Sequence, residues 1–176
     1  MQTLLFYKYQ GTGNDFVLID NREQKFKNDT KVVKELCDRK FGIGADGLIC
    51  LEDSNDADFK MVYYNADGNE SSMCGNGGRC IVAFAKYLNI INDSCTFMAI
   101  DGLHEANIDK DMNVELKMKD VDNIKTYEFD YVLDTGSPHY VRFVENISFI
   151  DTPKQGSIVR YSDDFKEEGI NVNFAE

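Results

Sequence analysis

Short apolar stretches of strand character follow one another along most of the chain. Residues 4–9 and 16–20 predict two strands separated by Gly11-Thr12-Gly13-Asn14-Asp15, and residues 48–52 predict a third. Phe59, Met61 and Tyr63 alternate with polar or amphipathic neighbours, which predicts a fourth over residues 59–64. Residues 95–100 and 103–108 flank Asp101-Gly102, a hairpin signature. Val114, Leu116 and Met118 alternate in a further strand, residues 127–133 make one more, and residues 169–174 another. Three segments read as helices. The first is capped by Asp29 or Thr30 and runs to about Lys40, with Val32, Val33, Leu36 and Cys37 inward and Gly42 as its stop. Residues 156–165 form another. The third, residues 81–91, is different in kind: between Cys80 and Ile91 only Lys86, Tyr87 and Asn89 carry polar groups. A helix apolar on all sides is a buried one, so it is expected to run through the centre of a sheet or barrel.

The stretch Met73-Cys74-Gly75-Asn76-Gly77-Gly78-Arg79-Cys80 opens into that helix. Glycines let the backbone come close to a bound group, and helical N–H groups direct the positive end of the dipole at it. The same field favours a thiolate over a thiol. The loop therefore offers an anion site and a reactive sulfur within one turn of each other. The alternative is that Cys74 caps a core helix as a small hydrophobe. Two other glycine-dense loops, at residues 11–15 and 41–47, also sit at strand ends. The first could cradle a phosphate, but no helix follows it; it reads better as a tight inter-strand loop, with Asn14 and Asp15 either satisfying the turn or facing a ligand.

The net charge of −12 argues against nucleic acid and anionic membrane surfaces as partners and fits a solvated acidic surface. No apolar run approaches transmembrane length, and residues 1–10 lack the pattern of a secretion leader. Five cysteines without such a leader imply reduced thiols and a cytoplasmic protein. Cys74 and Cys80 are spaced wrongly for zinc, so no metal is expected.

Thr135-Gly136-Ser137-Pro138-His139-Tyr140-Val141 echoes Thr12-Gly13-Asn14-Asp15-Phe16-Val17, each a small polar loop feeding an aromatic-Val strand. The echo suggests a duplication, with residues 1–120 as the first half and 121–176 as the beginning of a second. By the same spacing, a second thiol loop would fall near residue 197, beyond Glu176, so the second half is expected to be truncated.

GTGNDFVLID, FGIGADGL, YNADGNESSMCGNGGRC, GSPHYV and GINVNF, in this order, resemble diaminopimelate epimerase. The resemblance implies an α+β fold of two similar halves, each a sheet wrapped around a central helix, with the second half cut short here. It implies a cofactor-independent isomerase of lysine and cell-wall biosynthesis that interconverts LL- and meso-diaminopimelate without pyridoxal phosphate, by two-thiol proton transfer. Cys74 would be one catalytic thiol. The N–H groups of Gly75 and Asn76 would hold the α-carboxylate, and Asn14, Asn65 and Asn171 would bind the amino-acid ends of the substrate. Ser137 stands where the family commonly has Asn, and His139 would either orient groups near the thiol or be a satisfied loop histidine; His104 is expected to be structural. Cys37, Cys50, Cys80 and Cys95 read as core residues, so the chain alone is expected to lack the second catalytic cysteine. The competing expectations are a proline racemase-like isomerase and a non-catalytic ligand-binding or assembly half, completed as a homodimer or by a complementing C-terminal half.

Overall fold

The computed structural model describes residues 3–27 and 29–176; Met1 and Gln2, at the head of the stretch read for a leader, and Asn28 lie outside them. The chain divides into two compact units, Met1–Lys117 and Met118–Glu176.

In the first unit seven strands run side by side in chain order: β1 (Tyr7–Gly11), β2 (Asn14–Asp20), β3 (Gly47–Glu52), β4 (Phe59–Asn65), β5 (Ser94–Ala99), β6 (Gly102–Ile108) and β7 (Val114–Leu116). The β2–β3 and β4–β5 pairs are parallel and the others antiparallel. Helix α1 (Thr30–Cys37) joins β2 to β3, and helix α2 (Gly75–Tyr87) follows β4. α2 touches β1 and β2 at one edge and β6 and β7 at the other, so the sheet curls around it as a half-barrel. The period-two alternation of the strands divides the core accordingly. Phe16, Leu18, Ile49, Leu51, Phe59 and Met61 pack against Ile81, Phe84 and Ala85 of α2. Val17, Ile19, Leu48, Cys50, Val62 and Tyr64 pack with Val33 and Cys37 of α1 on the other face. Phe16, Phe59, Phe84 and Phe97 are wholly buried, each contributing about 1.5–3 kcal/mol of hydrophobic stabilisation.

Both helices of this unit depart from the sequence expectation. α1 stops at Cys37, not near Lys40, because Asp38 turns extended and its carboxylate takes the N–H groups of Lys40 and Phe41. Its inward positions are Val33 and Cys37, one turn apart. Val32 is exposed and Leu36 is half-buried. α2 begins at Gly75, six residues before the expected start, and ends at Tyr87, where Asn89 takes a left-handed φ of 58°. Glycine's poor helix propensity points to a loop, but packing overrides it. A Cβ on Gly77 would lie 3.1 Å from Cδ1 of Ile49, and one on Gly78 2.8 Å from Cδ2 of Leu116. The glycines let the helix sit deep in the curl of the sheet.

The second unit holds a four-stranded sheet in the order β11-β10-β9-β8, with β8 (Ile124–Tyr127), β9 (Asp130–Asp134), β10 (Pro138–Phe143) and β11 (Asn171–Ala175). Helix α3 (Thr152–Arg160) joins β10 to β11, which pair in parallel, and Tyr140, Val159 and Ile170 form the core. The run 127–133, expected as one strand, is a hairpin turning at Glu128 and Phe129. α3 lies earlier than residues 156–165, because Asp151 caps it through the Lys154 N–H and Pro153 starts it. The series β9-β10-α3-β11 repeats β1-β2-α1-β3: an antiparallel hairpin, a helical crossover, and a strand parallel to the second. Behind it, buried Asp130 accepts from Arg142 at 2.7 and 3.0 Å and from the Tyr140 hydroxyl.

Candidate active site

One end of the curled sheet gathers three polar loops of the first unit. Gly11 pairs with Asn14, Phe16 with Gly47, and Gly47 with Asn65, so the β1–β2 turn, the entry to β3 and the exit of β4 lie in a row. The turn itself is two residues, Thr12 and Gly13, both at positive φ (55° and 87°), as the twist of a tight hairpin requires. It reaches α2: a Cβ on Gly11 would be 3.1 Å from the Asn76 carbonyl oxygen, and the Thr12 hydroxyl donates to Asn76 Oδ1 at 3.2 Å.

Cys74 is the N-cap of α2, extended in backbone, and its side chain makes no capping hydrogen bond. The first bond of the helix runs from the Gly78 N–H to the Cys74 carbonyl at 2.7 Å. The N–H groups of Gly75, Asn76 and Gly77 therefore head the helix without intrahelical acceptors, at the positive end of its dipole. The sulfur is half-buried and donates to Oδ1 of Asn14, 3.7 Å away. The other four cysteines are buried. Loss of hydration pushes the thiols of Cys37, Cys80 and Cys95 up to about 11 and that of Cys50 higher still. Those thiols stay protonated at neutral pH.

The asparagines are held in defined orientations. Oδ1 of Asn65 accepts from the Tyr63 hydroxyl at 2.9 Å, which leaves its NH2 to donate elsewhere. The Tyr63 hydroxyl is pushed up to about 12, first by burial and then by Cys74 nearby. Oδ1 of Asn76 takes both Thr12 and the Arg79 guanidinium, so its side chain ties the hairpin to the helix. Asn14 and Asp15, which the sequence left open between the turn and a ligand, bond different partners. Asp15 is tied to Arg39 at 2.7 Å and Lys8 at 2.8 Å, and the Arg39 hydrogen bond, with Lys8 behind it, holds its carboxyl well below the usual carboxylate range. Asn14 faces the sulfur.

In the second unit, Asn171 Nδ2 donates to Ser137 Oγ at 3.3 Å and to the Pro138 carbonyl at 3.2 Å. His139 lies on strand β10 rather than in a loop, its Nδ1 3.0 Å from Asn173 Nδ2 and its Nε2 3.5 Å from Ser137 Oγ. Ser137, His139 and Asn171 thus form one cluster where β10 and β11 begin. His104 is buried, stacked on Phe97 and bonded to Asp101 at 3.0 Å, a core role.

Sequence reasoning missed Asp46, Arg39 and Tyr63. Asp46 carried a signal, as the only charged residue in the glycine-dense loop 41–47; nothing marked Arg39 or Tyr63. Among the described residues no group of three or more His, Cys, Asp or Glu side chains suits a metal ion, and no helix is long and apolar enough to cross a membrane.

The sequence profile of the family described as diaminopimelate epimerase matches residues 6–124. The diaminopimelate epimerase of Flavobacterium psychrophilum is 57% identical over 169 residues, covering 96% of this chain and 66% of its own length. That of Chlorobaculum tepidum is 40% identical over 173 residues (94% and 67%), and that of Aquifex aeolicus 34% over 190 residues (97% and 68%). The chain thus spans about two thirds of the length of these curated relatives. Among solved structures, a Bacillus anthracis phenazine biosynthesis protein of the PhzF family shares the fold with a TM-score of 0.67 at 14% identity, over 84% of this chain and 58% of that one. A probable proline racemase from Agrobacterium radiobacter does so with a TM-score of 0.58 at 13% identity, over 84% and 54%.

Proposed function

The chain belongs to the diaminopimelate epimerase family, and on that premise we propose that Cys74 is one acid–base thiol of a cofactor-independent epimerase interconverting LL- and meso-diaminopimelate. The observation that carries this reading is the placement of Cys74: the one half-exposed thiol of five, making no capping bond at the head of a buried helix, with an asparagine amide oxygen 3.7 Å away.

In the half of this reaction that Cys74 serves, its thiolate removes the α-proton, and the S–H so formed can return a proton only to the same face. The carbanion shares its charge with the adjacent carboxylate, and the N–H groups of Gly75 and Asn76 are aimed where that charge develops. The NH2 of Asn65 and the Oδ1 of Asn14 supply a donor and an acceptor of the kind a zwitterionic amino acid demands.

Inversion needs a second acid on the opposite face of the α-carbon. The buried, high-lying thiols of Cys37, Cys50, Cys80 and Cys95 do not suit that role, so these 176 residues supply one thiol of the pair and are a poor epimerase by themselves. The second comes from residues outside them, in the same polypeptide or in a partner. Five unbridged cysteines support a reducing, cytoplasmic setting.

The test is α-proton exchange in heavy water with LL- and meso-diaminopimelate, on this chain and on Cys74→Ala. Exchange with retention, abolished in Cys74→Ala, is the expected result. Exchange that survives the substitution would sink the role of Cys74, and exchange with inversion would sink the single-thiol reading.

A further inference from the structure

Asp46 stands directly behind Asn14, on the side away from Cys74. Its Oδ2 accepts from Asn14 Nδ2 at 2.8 Å and from the Asp15 N–H at 3.1 Å. Its Oδ1 accepts from Arg39 Nη2 at 2.8 Å. Arg39 is in turn held by Asp15 at 2.7 Å, and Asp15 by Lys8 at 2.8 Å, so the carboxylate is anchored from behind. A carboxylate offers acceptors only. The end of the Asn14 amide that meets it is therefore the NH2, and the end turned to the sulfur is the oxygen.

We propose that Asp46 is a positioning residue for Cys74: by fixing which end of the Asn14 amide faces the sulfur, it keeps an acceptor there for the S–H in the unliganded site. A ligand ammonium that takes Asn14 Oδ1 for itself withdraws that acceptor from the S–H. The inference rests on the reading of Cys74 as the acid–base group.

Asp46→Asn reverses the arrangement. The guanidinium of Arg39 holds the oxygen of the new amide, so its NH2 faces Asn14 and the Asp15 N–H loses its acceptor. The Asn14 amide must then turn its oxygen toward residue 46 and its NH2 toward the sulfur. A donor there stabilises the thiolate, the form that reacts with iodoacetamide.

The experiment measures the rate of Cys74 alkylation by iodoacetamide between pH 6 and 9, by mass spectrometry, in the parent chain, Asp46→Asn, Asn14→Ala and the double variant. Asp46→Asn is expected to alkylate roughly two- to tenfold faster at neutral pH, the effect of about one hydrogen bond, with its pH profile moved to lower pH. Within the Asn14→Ala background the Asp46 substitution should have no further effect. Equal acceleration in both backgrounds would mean that Asp46 acts by its charge alone and would overturn the proposal, as would an unchanged rate in Asp46→Asn. Should Asp46→Asn fail to fold by circular dichroism, Asn14→Ala decides: removing the acceptor must speed alkylation, and an unchanged rate overturns the proposal. No substrate is involved, so this outcome is separate from that of the exchange experiment.

Discussion

A methyl group on Gly47 would lie 2.6 Å from Cε2 of Tyr63 and 2.6 Å from the Tyr64 carbonyl oxygen. Gly47 is thus a seat for the Tyr63 ring, whose hydroxyl holds Asn65. Gly47→Ala is expected to cost about 1–3 kcal/mol, the usual penalty of overpacking, because a strand carbonyl cannot yield as the end of a side chain can. It should also displace Tyr63 and loosen Asn65. Urea unfolding followed by circular dichroism reads the first effect. Tyr63→Phe separates the second, since it keeps the ring in its seat and loses only the bond to Asn65. It should slow α-proton exchange while leaving the fold intact.

The five thiols should differ sharply in reactivity. Iodoacetamide under native conditions is expected to give a single adduct, at Cys74, and none on the same timescale in Cys74→Ser. The other four are buried in the packing around α1 and α2 and react only when the unit opens. Peptide mass spectrometry after graded exposure checks the order; early labelling of Cys80 would contradict the packing of α2.

The thiol loop and both faces of the strands were legible because they depend on local pattern: alternation of apolar residues, and glycines beside a cysteine. The start of α2 was not. Gly75, Gly77 and Gly78 look like a loop by propensity, and only the closeness of Ile49 and Leu116 explains them as helix. Asp46 was visible but mute, because its meaning is its contact with Asn14, 32 residues away. The β8–β9 hairpin was hidden for a different reason: it turns at a glutamate.

That glutamate gives a prediction of stabilisation. Tyr127 pairs with Asp130, leaving Glu128 and Phe129 as the whole turn, and Glu128 alone of the two lies at positive φ, 56°. Left-handed backbone costs an L side chain about 1–2 kcal/mol, and a glycine in the first central position of such a turn relieves it. Glu128→Gly is expected to raise the stability of the second unit by roughly 0.5–1 kcal/mol after glycine's own entropy cost. Thermal unfolding decides; a fall in stability would show that the turn has another geometry.

Acid should weaken the second unit through Asp130. Arg142 beside it, helped by the Tyr140 hydroxyl, holds its carboxyl below the usual carboxylate range. A group whose native pKa is depressed contributes its stability in full above its unfolded value, near 3.9, and loses it as pH falls through the native value. Asp130→Asn carries the neutral shape of the protonated acid at every pH. At pH 7 it is expected to cost up to roughly 1.5–3 kcal/mol, the range for hydrogen bonds to charged groups. The lower end applies, because the Arg142 side chain is 38% exposed and water screens the pair. The gap between parent and variant should close as pH falls from about 4 toward 2. Urea unfolding across that range, read by amide exchange in β9 and β10, checks it. A gap that stays constant with pH would mean that Asp130 stabilises the unit by shape and not by charge.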